Sequence, residues 1–185
     1  MRGTPPGVGE VVFTAAQIRG RVARLARQIS RDYAGQELLL VTVLRGGIFF
    51  VADLARRLEV PTTLDFLAIA SYGSDSGAPA GSGAVRITKD LEESITGRHV
   101  LIVEDVVDTG LTLGYIHANL LRRGPASLRV CILFHRPHRR LIDLPIDYAG
   151  FELPDRFLVG YGLDWRQQYR HLPYVAALTA EKLMT

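Results

Sequence analysis

The chain has 185 residues, 48% hydrophobic and 22% charged, which excludes global disorder and fits one globular domain that needs no metal or disulfide staple. Its 22 basic and 19 acidic residues leave a net charge of +3, too little for a strong electrostatic case for nucleic acid. The single cysteine, Cys131, excludes an internal disulfide and makes a reduced, cytoplasmic setting the default expectation.

Residues 1–10, rich in Gly and Pro, read as a loose arm. They contain no apolar h-region, so no secretory leader is expected. Thr14 with Gln17 three residues on forms a capping-box pattern. Ile18, Val22, Leu25, Ile29 and Tyr33 then recur at helical spacing, and Gly35 ends the run. Leu38 to Leu44 (LLLVTVL) is continuously apolar, which predicts a strand buried on both faces. Arg45-Gly46-Gly47 punctuates it, and a helix is predicted over Ile48 to Leu58, ahead of Pro61. Strand-like runs recur at Thr63–Ala70, Val100–Val103 and Leu128–Phe134. A helical stretch from Thr112 to Arg123 lies between the last two, closed by Gly124-Pro125. Alternating strands and helices predict a doubly wound, mainly parallel α/β sheet.

The last third differs. Ile146–Phe151 and Phe157–Tyr161 are short apolar pieces broken by Pro and Gly, read as a small hood or edge elaboration spanning about 135–175 rather than a second domain. No apolar run reaches the ~20 residues of a membrane span, so no membrane partner is expected. Gly73 to Ala84 (GSDSGAPAGSGA) has no apolar anchor. A plain surface loop and a mobile lid both account for it. The basic cluster from His135 to Arg140 reads as a solvated turn before it reads as an anion site.

Chemistry concentrates in Val100 to Thr112, VLIVEDVVDTGLT. A buried strand runs into Glu104 and Asp105, and the carboxyl ends of such strands are where open α/β sheets bind ligands. Asp108-Thr109-Gly110-Leu111-Thr112 then forms a loop entering a helix. Free backbone N–H groups, threonine hydroxyls and the helix dipole suit a phosphate there, and Gly110 permits close approach. Neither a Walker loop nor a G-x-G-x-x-G turn is present. Carboxylates beside a phosphate cradle fit a phosphorylated sugar, because they accept from sugar hydroxyls and hold Mg²⁺. Asp105 and Asp108 as mere helix-start residues would not explain two adjacent acids after four apolar strand residues.

These residues resemble the type I phosphoribosyltransferases, and Glu104-Asp105 followed by Asp108-Thr109-Gly110 is similar to their hypoxanthine-guanine branch. Leu44-Arg45-Gly46-Gly47 resembles that branch's pyrophosphate loop. Ser71-Tyr72 resembles the opening of its catalytic lid, over 71–88. The run from Phe151 to Asp164, continued by Tyr169-Arg170-His171-Leu172-Pro173, resembles its base and metal segment. Together these matches cover about residues 10–175.

The resemblance implies a purine-salvage reaction. A 6-oxopurine, hypoxanthine or guanine, and 5-phosphoribosyl-1-pyrophosphate (PRPP) give a purine nucleoside monophosphate and pyrophosphate, with Mg²⁺ as cofactor. It implies that Thr109, Gly110, Leu111 and Thr112 hold the 5′-phosphate. Glu104 and Asp105 bind ribose hydroxyls and help order the metal. Asp108 exchanges a proton with the purine N7. Leu44, Arg45 and Gly46, with a cis peptide between the first two, hold pyrophosphate together with Arg170. Phe157 stacks on the base, Leu158 and Leu163 line its site, and Asp164 ligates Mg²⁺; Trp165 packs the hood.

Two positions depart from the family pattern. Arg136 stands where the family usually has a Lys against the purine 6-oxo group, and Ala84 stands where its lid usually carries an acid. The expected partners are small molecules and a second copy of the chain, as homodimer or homotetramer. The alternatives are a xanthine-guanine-type enzyme and a non-catalytic regulator that binds RNA. The acid at Asp108 argues against the regulator.

Overall fold

The computed structural model describes residues 5–71 and 85–184. In chain order the elements are β1 (Val8–Phe13), α1 (Ala15–Asp32), β2 (Leu38–Leu44), α2 (Gly47–Ala55), β3 (Thr62–Ser71), β4 (Val85–Lys89), β5 (His99–Val107), α3 (Leu111–Leu121) and β6 (Ser127–His135). A 3-10 turn (Pro137–Arg139) follows, then β7 (Tyr148–Glu152), β8 (Leu158–Val159), β9 (Val175–Leu178) and α4 (Ala180–Leu183).

The main sheet has six strands in the order β4-β3-β2-β5-β6-β7, all parallel except β4. The apolar run of β2 explains its central place. Leu38 and Leu40 pack with Ile18, Val22, Phe50 and Leu54 of α1 and α2 on one face. Leu39, Val41 and Val43 pack with Leu113, Ile116 and Leu120 of α3 on the other. Successive strand residues face opposite sides, so only an unbroken apolar run serves both layers. Each such buried side chain stabilises the fold by ~1.5–3 kcal/mol. The Thr14 capping box starts α1: Gln17 N donates to Thr14 Oγ1 at 3.3 Å, and Thr14 N donates to Gln17 Oε1 at 2.8 Å.

From β2 the chain winds outward to β3, and from β5 it winds the opposite way to β6. The crevice at the carboxyl ends of β2 and β5 is therefore the topological switch point, where doubly wound sheets take ligands. A second, antiparallel sheet of three strands, β1-β9-β8, forms the hood. Val8, Val159, Leu172 and Leu178 are buried in a small core of its own.

Four boundaries differ from expectation. The loose arm stops short of Val8, because Val8–Phe13 pairs with Val175–Leu178 from the far end of the chain. Helix α2 ends at Ala55, not Leu58; Arg57 N and Leu58 N bond the carbonyls of Leu54 and Ala55 three residues back, in a tight final turn. Strand β5 runs to Val107, past Val103, since its pairing with β6 continues through Glu104↔Ile132 and Val107↔His135. Within 71–88, Val85–Lys89 forms β4 against β3, whereas Tyr72 and Gly73–Ala84 lie outside the described residues. No described helix is long and apolar enough to cross a membrane.

Candidate active site

Two adjoining clefts open at the switch point. The first, of about 330 Å³, is lined by Leu44, Arg45 and Gly46 after β2, by Glu104 and Asp105 on β5, and by Asp108, Thr109, Gly110 and Thr112 ahead of and within α3. The second, of about 450 Å³, is lined by Arg136 after β6, by Phe157 and Leu158 at β8, and by Leu163 and Asp164. Asp105, Val106, Asp108 and Arg170 line both. Among the described residues whose side chains are placed, those expected from sequence are thus brought together, with one exception. Leu111 is exposed and lines neither cleft. Ser71 closes β3.

The local chain explains the first cleft. The Leu44-Arg45 peptide is cis. Gly46 and Gly162 both approach Asp105 so closely that a Cβ on Gly46 would overlap its carboxylate. Gly110 caps α3 with φ +83°, a left-handed conformation that glycine adopts without penalty. The first-turn N–H groups of a helix have no intrahelical acceptor, and Thr109, Gly110 and Thr112 at this helix start line the cleft. Leu111 N donates to Thr109 Oγ1 at 3.4 Å.

Glu104 and Asp105 lie within β5 rather than beyond its end, and both are buried. Burial pushes the Glu104 carboxyl well above the ordinary carboxylate range, and the charge of Asp105 adds to the effect. Its Oε1 is buried with no hydrogen-bond partner among the described residues. Burial also lifts Asp105 to about 6, partly offset by main-chain hydrogen bonds at Val106 and at Asp105 itself and by Arg170. The free site thus disfavours two negative charges side by side, and donors or a cation from a ligand would relieve that cost.

Arg170 organises the wall shared by the clefts. Its Nη1 donates to Gly162 O at 2.6 Å, and its Nη2 meets Asp164 Oδ1 at 2.7 Å and Gln167 Oε1 at 3.1 Å. Arg45 Nη1 reaches the same Gln167 oxygen at 3.3 Å, so one amide gathers both arginines of the expected pyrophosphate site. Arg170 Nε is buried without a hydrogen-bond partner among the described residues. Asp164 Oδ2 accepts Gln167 N at 2.8 Å.

In the second cleft Phe157 is 43% exposed, and its ring meets Trp165 edge-on at 5.0 Å. It is therefore an aromatic face at a cleft mouth and not a core residue. Arg136 is held by main-chain acceptors, Arg156 O at 2.9 Å and Pro154 O at 3.4 Å, and lies 3.8 Å from Asp108 Oδ1. Arg139 reaches Asp108 Oδ2 at 3.4 Å and also pairs with Asp155. The basic cluster is therefore more than a solvated turn: Arg136 is largely buried, and Arg139, though exposed, is paired with two carboxylates. Arg136, just ahead of the 3-10 turn, and Arg139, at its end, both reach toward Asp108. Sequence reading missed Arg139, Asp155 and Gln167. A signal existed only for Arg139, which sits in the basic cluster.

The profile of the phosphoribosyl transferase domain matches residues 12–166. The hypoxanthine-guanine phosphoribosyltransferase of Mycobacterium bovis is 49% identical over 180 residues, 94% of this chain and 88% of that protein. The hypoxanthine phosphoribosyltransferase of Salmonella typhimurium is 47% identical over 168 residues, 90% and 93% of the two chains. The crystal structure of a hypoxanthine phosphoribosyltransferase from Staphylococcus aureus superposes with a TM-score of 0.89 at 39% identity, covering 95% of this chain and 94% of that one. With the profile spanning both the main sheet and its site loops, and relatives this similar over nearly their whole length, the chain belongs to the phosphoribosyl transferase family.

Proposed function

We propose that this chain transfers the phosphoribosyl group of PRPP to hypoxanthine or guanine, releasing pyrophosphate and forming the purine nucleoside monophosphate. One observation carries the reading: Asp108 stands on the boundary of two adjoining clefts. One of them suits a phosphorylated sugar and the other a planar base.

In the first cleft the α3 N-terminus with Thr109 and Thr112 holds the 5′-phosphate. Glu104 and Asp105 accept from the ribose hydroxyls, and Arg45, Gly46 and Arg170 bind the pyrophosphate. In the second, Phe157 stacks on the purine, Leu158 and Leu163 enclose it, and Arg136 donates to the 6-oxo group. The bond from ribose C1 to pyrophosphate oxygen breaks as the bond to purine N9 forms, through an oxocarbenium-like transition state. Asp108 takes the proton that the purine loses at N7.

The donor set fits Mg²⁺. Such an ion is typically held by one or two carboxylates together with substrate phosphates and water. No cluster of three metal-binding side chains occurs among the described residues, but Asp105 and Asp164 flank the Arg170 wall, and Glu104 offers an unpartnered oxygen. Bound there, Mg²⁺ would neutralise charge on the leaving pyrophosphate. Self-association as a homodimer or homotetramer is expected and is read directly by sedimentation.

A PRPP-dependent assay with hypoxanthine, guanine, xanthine and adenine tests the reading. Nucleotide and pyrophosphate should form with hypoxanthine or guanine and not with adenine. Absence of PRPP consumption with every base would overturn it.

A further inference from the structure

We propose that Arg139 is a positioning residue of the base site: in the free protein it holds the one oxygen of Asp108 open to a purine, and it yields that oxygen by retreating onto Asp155. The inference rests on the proposed role of Asp108 as the group that meets the purine.

The two oxygens of Asp108 are not equivalent. Oδ1 is buried, has no hydrogen-bond partner among the described residues, and faces Arg136 at 3.8 Å. A purine N–H can therefore approach Oδ2 alone. That oxygen already meets Arg139 Nη1 at 3.4 Å, so arginine and purine compete for it. The other end of the guanidinium decides where the arginine goes. Its Nη2 is paired with Asp155 Oδ1, on the segment between β7 and β8. One guanidinium thus spans two carboxylates, which its forked set of five donors allows.

Arg139 and not Arg136 is the residue that can move. The Arg136 side chain is 12% exposed and tied to two main-chain carbonyls. The Arg139 side chain is 45% exposed and, among the described residues, is held by two carboxylates. When a purine arrives, its N–H replaces Arg139 on Asp108, and the contact to Asp155 keeps the displaced cation in place. Asp155 then acts on base binding solely through Arg139.

This relationship predicts effects of opposite sign, which a shared structural role would not produce. Exposed ion pairs shift equilibria by about two- to fivefold. Arg139→Gln leaves Asp108 Oδ2 free and should lower the KM for hypoxanthine by about that factor. Asp155→Asn removes the alternative partner and should raise it by a similar factor. The double variant should match Arg139→Gln, and the KM for PRPP should stay unchanged throughout. Steady-state kinetics of the four proteins at saturating Mg²⁺ and PRPP read all of this. Single variants that shift the hypoxanthine KM in the same direction, or not at all, overturn the proposal. So does an Asp155→Asn effect that persists in the Arg139→Gln background. Failure of the underlying reading looks different: Asp108→Asn would then keep its kcat.

Discussion

The carboxylate of Asp105 fills the space in which a side chain on Gly46 would lie. The backbone of Gly46, at φ −60° and ψ −47°, suits any residue, so the glycine is there for space alone. Gly46→Ala should therefore leave the fold intact and displace either the 44–46 loop, proposed to hold pyrophosphate, or Asp105. Overpacking of this kind costs ~1–3 kcal/mol, so kcat/KM for PRPP should fall roughly 5–150-fold. Kinetics with PRPP as the varied substrate, beside a thermal scan, check this. An active Gly46→Ala enzyme with an unchanged KM for PRPP would show that the two residues are not in register.

Burial of Asp105 also makes stability depend on pH. An acid whose folded pKa exceeds the unfolded value of ~3.9 binds its proton more tightly when folded. That favours folding at low pH, and the advantage is lost as pH rises through about 6. Above that point the ionised carboxylate is a cost of the order of 3 kcal/mol in the ligand-free protein. Asp105→Asn should therefore raise Tm near neutral pH, with the gain shrinking toward about pH 4, while activity is lost. Thermal scans in EDTA across that range give the answer. A Tm lower than wild type at every pH would mean that the carboxylate stabilises the free protein.

Local signals in the sequence carried far in this chain. Thr14 and Gln17 mark the start of α1, and the unbroken run from Leu38 to Leu44 marks a strand covered on both faces. What was not legible depends on partners distant in sequence. Val8 becomes a strand residue only because Leu178 lies beside it. Glu104 and Asp105 look like a strand's end, yet β6 keeps pairing past them. Arg136 and Arg139 sit in a basic run that reads as solvated. Their aim is set by the main chain at Pro154 and Arg156 and by the side chain of Asp155, about twenty residues away. Gln167 had no signal at all, since its role is to join two arginines from opposite ends of the chain.

Asp108→Asn preserves size and shape but cannot take a proton. Proton transfer by a positioned group contributes ~10²–10⁴-fold, and the loss should fall on kcat, with PRPP binding weakened far less. Burst and steady-state measurements separate the two. A variant that keeps more than about half of the wild-type kcat removes proton transfer from Asp108.

Asp164 bonds Arg170 through one oxygen and Gln167 N through the other, so it is already oriented toward the shared wall. Asp164→Asn keeps the hydrogen bond from Gln167 and removes the charge. The Mg²⁺ concentration for half-maximal rate should rise by about tenfold or more. A titration of rate against Mg²⁺ decides it, and an unchanged midpoint takes Asp164 out of the metal site.

In the proposed reaction, Arg136 would set which purines the site accepts. Its guanidinium lines the base cleft, fixed by Arg156 O and Pro154 O. Arginine only donates. A 6-oxopurine offers an acceptor at that edge of the ring, whereas adenine offers an amino donor, so donor would face donor. A site built around such a contact can reject the mismatch by ~10⁴-fold. Hydrogen bonds to charged groups contribute ~1.5–3 kcal/mol, or roughly 10–150-fold. Arg136→Met should therefore lower kcat/KM for hypoxanthine and guanine by about that factor. Arg136→Lys keeps a charged donor but cannot keep two carbonyls and the base in one planar fork. It should preserve most of the rate and change the ratio between hypoxanthine and guanine. Measuring kcat/KM for both bases on the three proteins separates charge from shape. If Arg136→Met stays within about twofold of wild type for both, the 6-oxo group is read elsewhere, by the main chain around Leu158.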